Sequence, residues 1–351
     1  MEAPLNVAVI GTGMGRYHMK EYVESPNVHL LAVCDLNRPE AEQFAKQYGA
    51  THVFTDYHDL WSLEGLDAVS IAIPNYLHAA VAIDALGHGL HVLCEKPMAT
   101  KLEDARRMVQ AAEANGKRLM IGMSQRFRPQ SLALRGMVER GELGDIYYAR
   151  STWIRRRGMP VLHFAPGGSM GRGQWFVDQE KAGAGALFDI GVHMFDLTWW
   201  LMGNPRPLTV SAASYQNLWT AEFARRGIRC NVDELSSAMV RFAGGVTAVF
   251  DVSWAANQAD DMNVRVFGTR AGIQVYPPVV FHEPRWSELH TDSVDVKLVE
   301  EGLTPRRHFV DCIRNPDQTM IASGQECLTV MAVLDAVRRS ASSGREVDVE
   351  L

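Results

Sequence analysis

The sequence predicts an α/β protein in two parts: a doubly wound parallel sheet over residues 1–124, then a mostly antiparallel sheet with a few helices over residues 125–351. Three observations carry this. The chain has 351 residues, more than one core of roughly 100–150 residues serves. Its first third alternates near-continuous apolar runs with helix signals, the texture of parallel strands covered on both faces. After about residue 125 the runs lengthen and are joined by tight turns, as antiparallel strands are.

The elements follow in order. "LNVAVI" ends in glycines and reads as the first strand. "VHLLAVCD", "DAVSIAIP", "LHVLCEKP" and "RLMIGMS" repeat the pattern. Between them, "PEAEQFAKQYG" has proline at its start and glycine at its end, and "YLHAAVAIDALGHG" and "LEDARRMVQAAEANG" are also helical. Strand–helix alternation of this kind gives a doubly wound sheet. Beyond it, "DIYYARSTWIRR", "LTVSAASYQ", "ELSSAMVRFAGGVTAVFDVSW" and "NVRVFGTRAGIQVY" read as longer strands. Gly244-Gly245 between two runs marks a hairpin. The stretch from Gly158 to Gly185 is glycine-rich and aperiodic, and a loop of that length is usually functional or mobile.

Composition narrows the function classes. The net charge is −6 without long blocks of like charge, which argues against a nucleic-acid surface. The N-terminus lacks the charged and apolar regions of a signal peptide, and no run reaches the ~18 apolar residues of a membrane span. Five scattered cysteines suggest free thiols in the cytoplasm rather than a disulfide framework. No Cys/His cluster has zinc spacing, so no metal is expected.

"VAVIGTGMGRYH" follows the first strand and opens a helix. Gly11 permits the tight turn, and Gly13 lets a pyrophosphate approach the backbone at a helix N-terminus. Asp35 ends the second strand, about 20 residues on, where a ribose-hydroxyl ligand belongs. Gly11, Thr12, Gly13, Met14, Gly15, Arg16, Asp35 and Arg38 are the candidate dinucleotide residues. The third glycine, Gly15, comes one residue early and Arg16 stands in its place, so the turn is shortened or Arg16 lies near phosphate. An acid at Asp35 repels a 2′-phosphate and favours NAD over NADP.

Two further patterns carry chemistry. "HVLCEKPMA" ends an apolar run in Glu95 and Lys96 and locks the next bond with Pro97. "GALFDIGVHMFD" places Asp189 four residues before His193, on one face if helical. A carboxylate beside an imidazole suits general-base work. The same spacing also describes a helix cap and a core histidine.

Taken in order, "VIGTGMGRYH", "IPNYLH", "CEKPMA" and "GALFDIGVHMFD" resemble the Gfo/Idh/MocA oxidoreductases, and "HFVDCIRNP" and "LDAVRRSASSGREVDV" are similar too. The resemblance spans nearly the whole chain. It implies a Rossmann domain, a second α/β domain with a large open sheet, and an active site at the carboxyl ends of the parallel strands, between the domains. Lys96, Asp189 and His193 would be the catalytic set, with Lys96 stabilising an alkoxide and His193 as base. Glu95 would face the nicotinamide, and Pro74, Asn75 and His78 would line the cofactor; His78 could equally face solvent. Gln125 and Arg126 would contact substrate or cofactor, or else form an interdomain ion pair or hydrogen bond. The substrate would be a sugar, glycoside or cyclic polyol. Net dehydrogenation, glycosidase action through transient oxidation, and cofactor sensing without turnover all remain compatible. A homodimer or homotetramer through the second sheet is expected.

Substrate contacts can be read from one further cluster. Strand alternation would send Arg155 and Arg157 to one face and Arg156 to the other. With Arg172 and Trp175 they could clamp an anionic group, or they form a solvated surface. Trp153, Trp175, Trp219 and Trp254 are candidates for stacking on a sugar, while Trp199 and Trp200 read as core.

Overall fold

The computed structural model describes residues 3–159, 171–296 and 302–351. The chain divides into two compact units, Met1–Met123 with Leu303–Leu328 and Ser124–Gly302 with Thr329–Leu351. The single cut expected after residue 124 therefore misplaces residues 303–328, which belong with the first unit. Their sequence shows an amphipathic helix, Pro305–Arg314, but nothing in such a helix states which core it covers.

The first unit holds a six-stranded sheet. Its strands are β1 (Leu5–Ile10), β2 (Val28–Cys34), β3 (His52–Phe54), β4 (Ala68–Ile71), β5 (His91–Cys94) and β6 (Leu119–Ile121). The order is β3-β2-β1-β4-β5-β6, and all five pairings between neighbours are parallel. The order reverses between β1 and β4, the switch point where ligands bind outside the carboxyl ends of strands. Helices Gly15–Val23, Arg38–Tyr48, Asn75–Gly87 and Leu102–Ala114 alternate with the strands. The second of these ends as its sequence dictates, with Gly49 at φ +74°. The sequence reading missed β3, whose three residues have no apolar run.

His91, in β5, uses Nδ1 to accept the Arg118 N–H at 3.0 Å. That bond needs a neutral ring. Burial, then the charges of Lys117 and Arg118, push its imidazole down to about 4. The unfolded chain, with an ordinary value near 6.5, binds the extra proton between those limits. Stability is therefore full above pH ~6.5 and falls as pH drops towards ~4. Linkage caps the contribution at about 3 kcal/mol, and partial exposure leaves on the order of 1–2. His91→Gln should flatten this part of the stability–pH curve in urea melts. An unchanged slope would place the acid loss at another group.

The second unit holds a nine-stranded sheet. It comprises β7 (Ile146–Ile154), β8 (Pro207–Tyr215), β9 (Leu235–Phe242), β10 (Thr247–Ser253), β11 (Asp261–Gly268), β12 (Ala271–Gln274), β13 (Val279–His282), β14 (His290–Ser293) and β15 (Val347–Asp348). The order is β14-β13-β12-β11-β7-β10-β9-β8-β15. Among the described strands only β7 and β10 pair in parallel, so the sheet is mixed but mostly antiparallel. Gly244 and Gly245, at φ +81° and +79°, turn β9 into β10, as the Gly-Gly pair predicts. One face buries Ala238, Val240, Ala248, Phe250 and Val252. Helix Val192–Leu201, buried along its whole length, packs on β7, β10 and β11.

Candidate active site

Two of the three glycines of the first loop have a steric reason. Gly11 is at φ +93°, and a Cβ there would stand 2.3 Å from the Ala72 carbonyl oxygen. A Cβ on Gly15 would stand 2.8 Å from Val9 Cγ1, so this glycine lets the helix pack on β1. Gly15 thus does the work of the third glycine in a loop one residue shorter. Gly13 faces open space, with nothing within 4 Å of a Cβ. None of the N–H groups of Gly13, Met14 and Gly15 donates to an acceptor among the described residues. Three open donors at a helix start suit a pyrophosphate. Asp35 Oδ2 accepts the Thr12 N–H and hydroxyl at 2.8 and 2.7 Å, and Oδ1 accepts Asn37 N–H at 2.8 Å. Asp35 therefore braces the loop.

Arg16 turns away from the loop: its guanidinium donates to Tyr17 Oη at 3.1 Å and lies 4.9 Å from that ring's centre. Arg38 pairs with Glu42 one helical turn on, at 3.5 Å. Pro74 precedes helix Asn75–Gly87, and Asn75 is buried at its first turn. His78 neither faces solvent nor the loop. It is 1% exposed, with ring nitrogens 2.8 Å from Pro97 O and 2.9 Å from Ile73 O. Burial pushes its imidazole down, against the pull of those two carbonyls. It sits against the Lys96-Pro97 turn, which corrects the alternative that it faces solvent.

Glu95 and Lys96 follow β5 directly, with Glu95 N bonded to Ile71 O at 2.9 Å. Burial raises the Glu95 carboxyl, but the His18 hydrogen bond and the neighbouring cations Lys96 and Arg306 outweigh it and hold it at about 2. Glu95 is an anion beside a half-buried Lys96.

Asp189 and His193 stand on one continuous helical segment of the second unit. Asp189 lies in a π-turn, Leu187–Gly191, and His193 in the α-helix that continues it. Such π-turns are frequent at functional sites. Asp189 Oδ2 accepts the Trp254 indole N–H at 2.9 Å and lies 3.8 Å from Arg155 Nη1. The Arg155 guanidinium lies 4.7 Å from the Trp153 ring centre, and that ring is 6.4 Å from His193. Trp153, Arg155, Asp189, His193 and Trp254 are thus one cluster. Trp153 and Arg155 also line a recess of about 340 Å³ with Asp260 and Asp261.

The arginine run departs from expectation. β7 ends at Ile154, so strand alternation does not extend to it. Arg155 turns to Asp189, while Arg157 bonds Ala256 O at 3.0 Å and Asn257 Oδ1 at 2.8 Å. They share no face. Trp175 stacks on Phe176 at 3.9 Å and lines a different recess, with Arg229 and Lys181. The Arg172 side chain lies outside the described residues, as do residues 160–170 of the glycine-rich stretch. Trp219 stacks on Phe223 at 5.6 Å. Trp254 is 1% exposed and serves Asp189 with its N–H rather than a sugar with its face.

Arg126 is 0% exposed and grips Asp196 through Nε at 3.0 Å and Nη2 at 2.7 Å. It is a core ion pair of the second unit. Gln125 Oε1 accepts the Tyr276 hydroxyl at 2.9 Å. The sequence reading missed Asp233. Its carboxylate takes the N–H groups of Gly185 and Leu187 at 2.7 and 2.8 Å and the Ser236 hydroxyl at 3.0 Å, fixing the segment before Asp189. A Cβ on Gly185 would stand 1.9 Å from Asp233 O, so the Ala-Gly-Ala-Gly-Ala run needs that glycine. An acidic pair before a strand gave no signal of this. Among the described residues no group of three His, Cys, Asp or Glu side chains could hold a metal, and no helix is long and apolar enough to cross a membrane.

Residues 5–123 match the model of an oxidoreductase family with an NAD-binding Rossmann fold, and residues 131–274 match the GFO/IDH/MocA C-terminal domain. The chain is 28% identical to D-glucoside 3-dehydrogenase of Escherichia coli, covering 99% of this chain and 98% of that protein. It is 24% identical to scyllo-inositol 2-dehydrogenase (NAD(+)) of Bacillus subtilis, covering 100% and 98%. Among solved structures it resembles levoglucosan dehydrogenase in complex with NADH and levoglucosan, with a TM-score of 0.84 at 22% identity over 99% and 100% of the two chains. At that identity the likeness concerns the fold.

Proposed function

The chain belongs to the GFO/IDH/MocA oxidoreductases, and on that premise we propose that it moves a hydride from a secondary hydroxyl of a sugar, glycoside or cyclic polyol to NAD. The observation that carries this is the Asp189 carboxylate held by Trp254 and Arg155, in one cluster with Trp153 and His193. It supplies an acid–base pair beside an aromatic face suited to a sugar ring. The open N–H groups of the glycine loop fit a dinucleotide. When bound, NAD supplies the hydride acceptor.

The residues divide the remaining work. His193 takes the hydroxyl proton as the C–H hydride leaves, so alcohol becomes ketone. Asp189 hydrogen-bonds the substrate or the imidazole. Lys96 stabilises the developing alkoxide with its charge. Asp35, bracing the loop at the ribose position, favours NAD over NADP. The half-exposed face of Trp153, with the polar groups of Asp260 and Asp261 in the recess, receives the sugar. The protein works as a cytoplasmic homodimer or homotetramer joined through the second sheet. On the side opposite the buried Phe250, that sheet carries Met239 paired to Val249.

A panel of sugars, polyols and glycosides with NAD tests the reading. At least one is expected to accumulate NADH stoichiometrically with a ketone product, from a sample that light scattering reads as an oligomer. Aglycone release without NADH would replace dehydrogenation by a redox-neutral glycosidase reaction. No turnover across the panel would remove both.

A further inference from the structure

Beneath Glu95 lies a buried chain of hydrogen bonds that the reaction scheme does not use. His18, on helix Gly15–Val23, places Nε2 at 2.9 Å from Glu95 Oε1 and Nδ1 at 2.6 Å from Ser70 Oγ of β4. The Tyr22 hydroxyl, one turn on from His18, donates to the same Ser70 Oγ at 3.3 Å. His18, Ser70 and Tyr22 are 1%, 0% and 1% exposed. Glu95 Oε2 then accepts the N–H of Lys96 at 3.3 Å. A Cβ on Gly122 would stand 3.1 Å from Glu95 Oε1, so the glycine after β6 leaves the carboxylate its place.

One proton arrangement satisfies every member of this chain. Tyr22 donates to Ser70, so the Ser70 hydrogen goes to His18 Nδ1. That leaves Nε2 as the donor, aimed at Glu95. Each group spends its one hydrogen and no buried polar atom of the chain goes unmatched, as a buried network requires. Burial pushes the Tyr22 phenol up, so this donor keeps its proton.

We propose that His18 is a positioning residue for Lys96: its Nε2–H fixes the Glu95 carboxylate, the carboxylate fixes the Lys96 backbone, and the helix that opens at the phosphate loop thereby sets where the Lys96 ammonium stands. The same histidine that follows the glycine loop in sequence ties the cofactor helix to the catalytic turn. This rests on the reading that Lys96 serves the reaction.

The test compares His18→Leu with His18→Gln, whose amide N–H can replace the Nε2–H. His18→Leu should lower kcat by about 10–10²-fold through misplacement of Lys96, with sugar KM and NADH affinity near wild type. His18→Gln should recover most of the loss at a similar melting temperature. An unchanged kcat in His18→Leu overturns the proposal. So do equal losses in both variants that track their melting temperatures, since the histidine would then only fill the core. If His18→Leu fails to fold, Ser70→Ala decides: it frees the imidazole tautomer and should lower kcat several-fold at unchanged KM, and a wild-type kcat overturns the proposal. If the wild type oxidises no sugar or polyol, the proposed function fails separately. His18 is then judged by the Glu95 carboxyl carbon in NMR, which should stay ionised through pH ~4 in wild type and titrate there in His18→Leu. Identical titrations overturn it.

Discussion

Lys96→Met is expected to cut turnover by about 10²–10³-fold while folding and NADH binding stay near wild type. Met matches the length of the aliphatic stem and removes only the charge. Lys96 is half-buried at the end of β5, and the phosphate-binding loop lies after β1, so the cofactor's anchor is untouched. The missing charge is felt when the hydroxyl oxygen becomes an alkoxide, in the transition state and not in the bound substrate. The loss therefore falls on kcat. His193→Ala should be comparably severe but recover at high pH, because hydroxide can take the proton the imidazole no longer accepts. Lys96→Met has no such remedy, since no solvent species replaces a fixed cation. Two pH–rate profiles with the best substrate separate the cases. Near wild-type turnover in Lys96→Met would reduce the Glu95-Lys96-Pro97 turn to a strand end.

The parts of this molecule that were legible in the sequence are those written in local pattern. Apolar runs of β1, β2, β4, β5 and β6 and three of the four helices between them stand within a few residues of their expected positions, because a strand buried on both faces must be apolar throughout. The Gly-Gly turn was readable because only glycine takes its positive φ without cost. Long-range partners were not readable. Nothing in "SWAANQ" says that Trp254 sends its N–H to Asp189, 65 positions earlier. Nothing in "CNVDEL" says that Asp233 locks Gly185. The arginine run misled because alternation holds only while the strand lasts, and β7 stops one residue before Arg155. His18 went unread because a histidine after a glycine loop has no period and no pairing partner until the helix is laid on the sheet.

The second large effect belongs to Arg126 and Asp196, where chemistry and stability meet on one helix. Asp196 lies one turn beyond His193 on helix Val192–Leu201. Its carboxylate is 0% exposed and is gripped by Arg126 through two guanidinium nitrogens at 3.0 and 2.7 Å. The indole rings of Trp199 and Trp200 stand 6.0 and 5.6 Å from that guanidinium. Water cannot reach the cation if the carboxylate is removed, and Arg does not lose its proton. Asp196→Ala should therefore cost about 3–5 kcal/mol, a fall in melting temperature of roughly 6–20 °C for a unit of this size. Arg126→Met should cost a similar amount by stranding the carboxylate. The double variant Arg126→Met, Asp196→Leu should regain most of the loss, because a packed apolar pair carries no buried charge. Additive losses in that cycle, or Asp196→Ala melting within about 1 kcal/mol of wild type, would mean that the guanidinium is solvated. Arg126 would then return as a group free to meet a ligand. Otherwise the pair anchors the helix carrying His193, and its loss should lower turnover only as far as it unfolds the second unit.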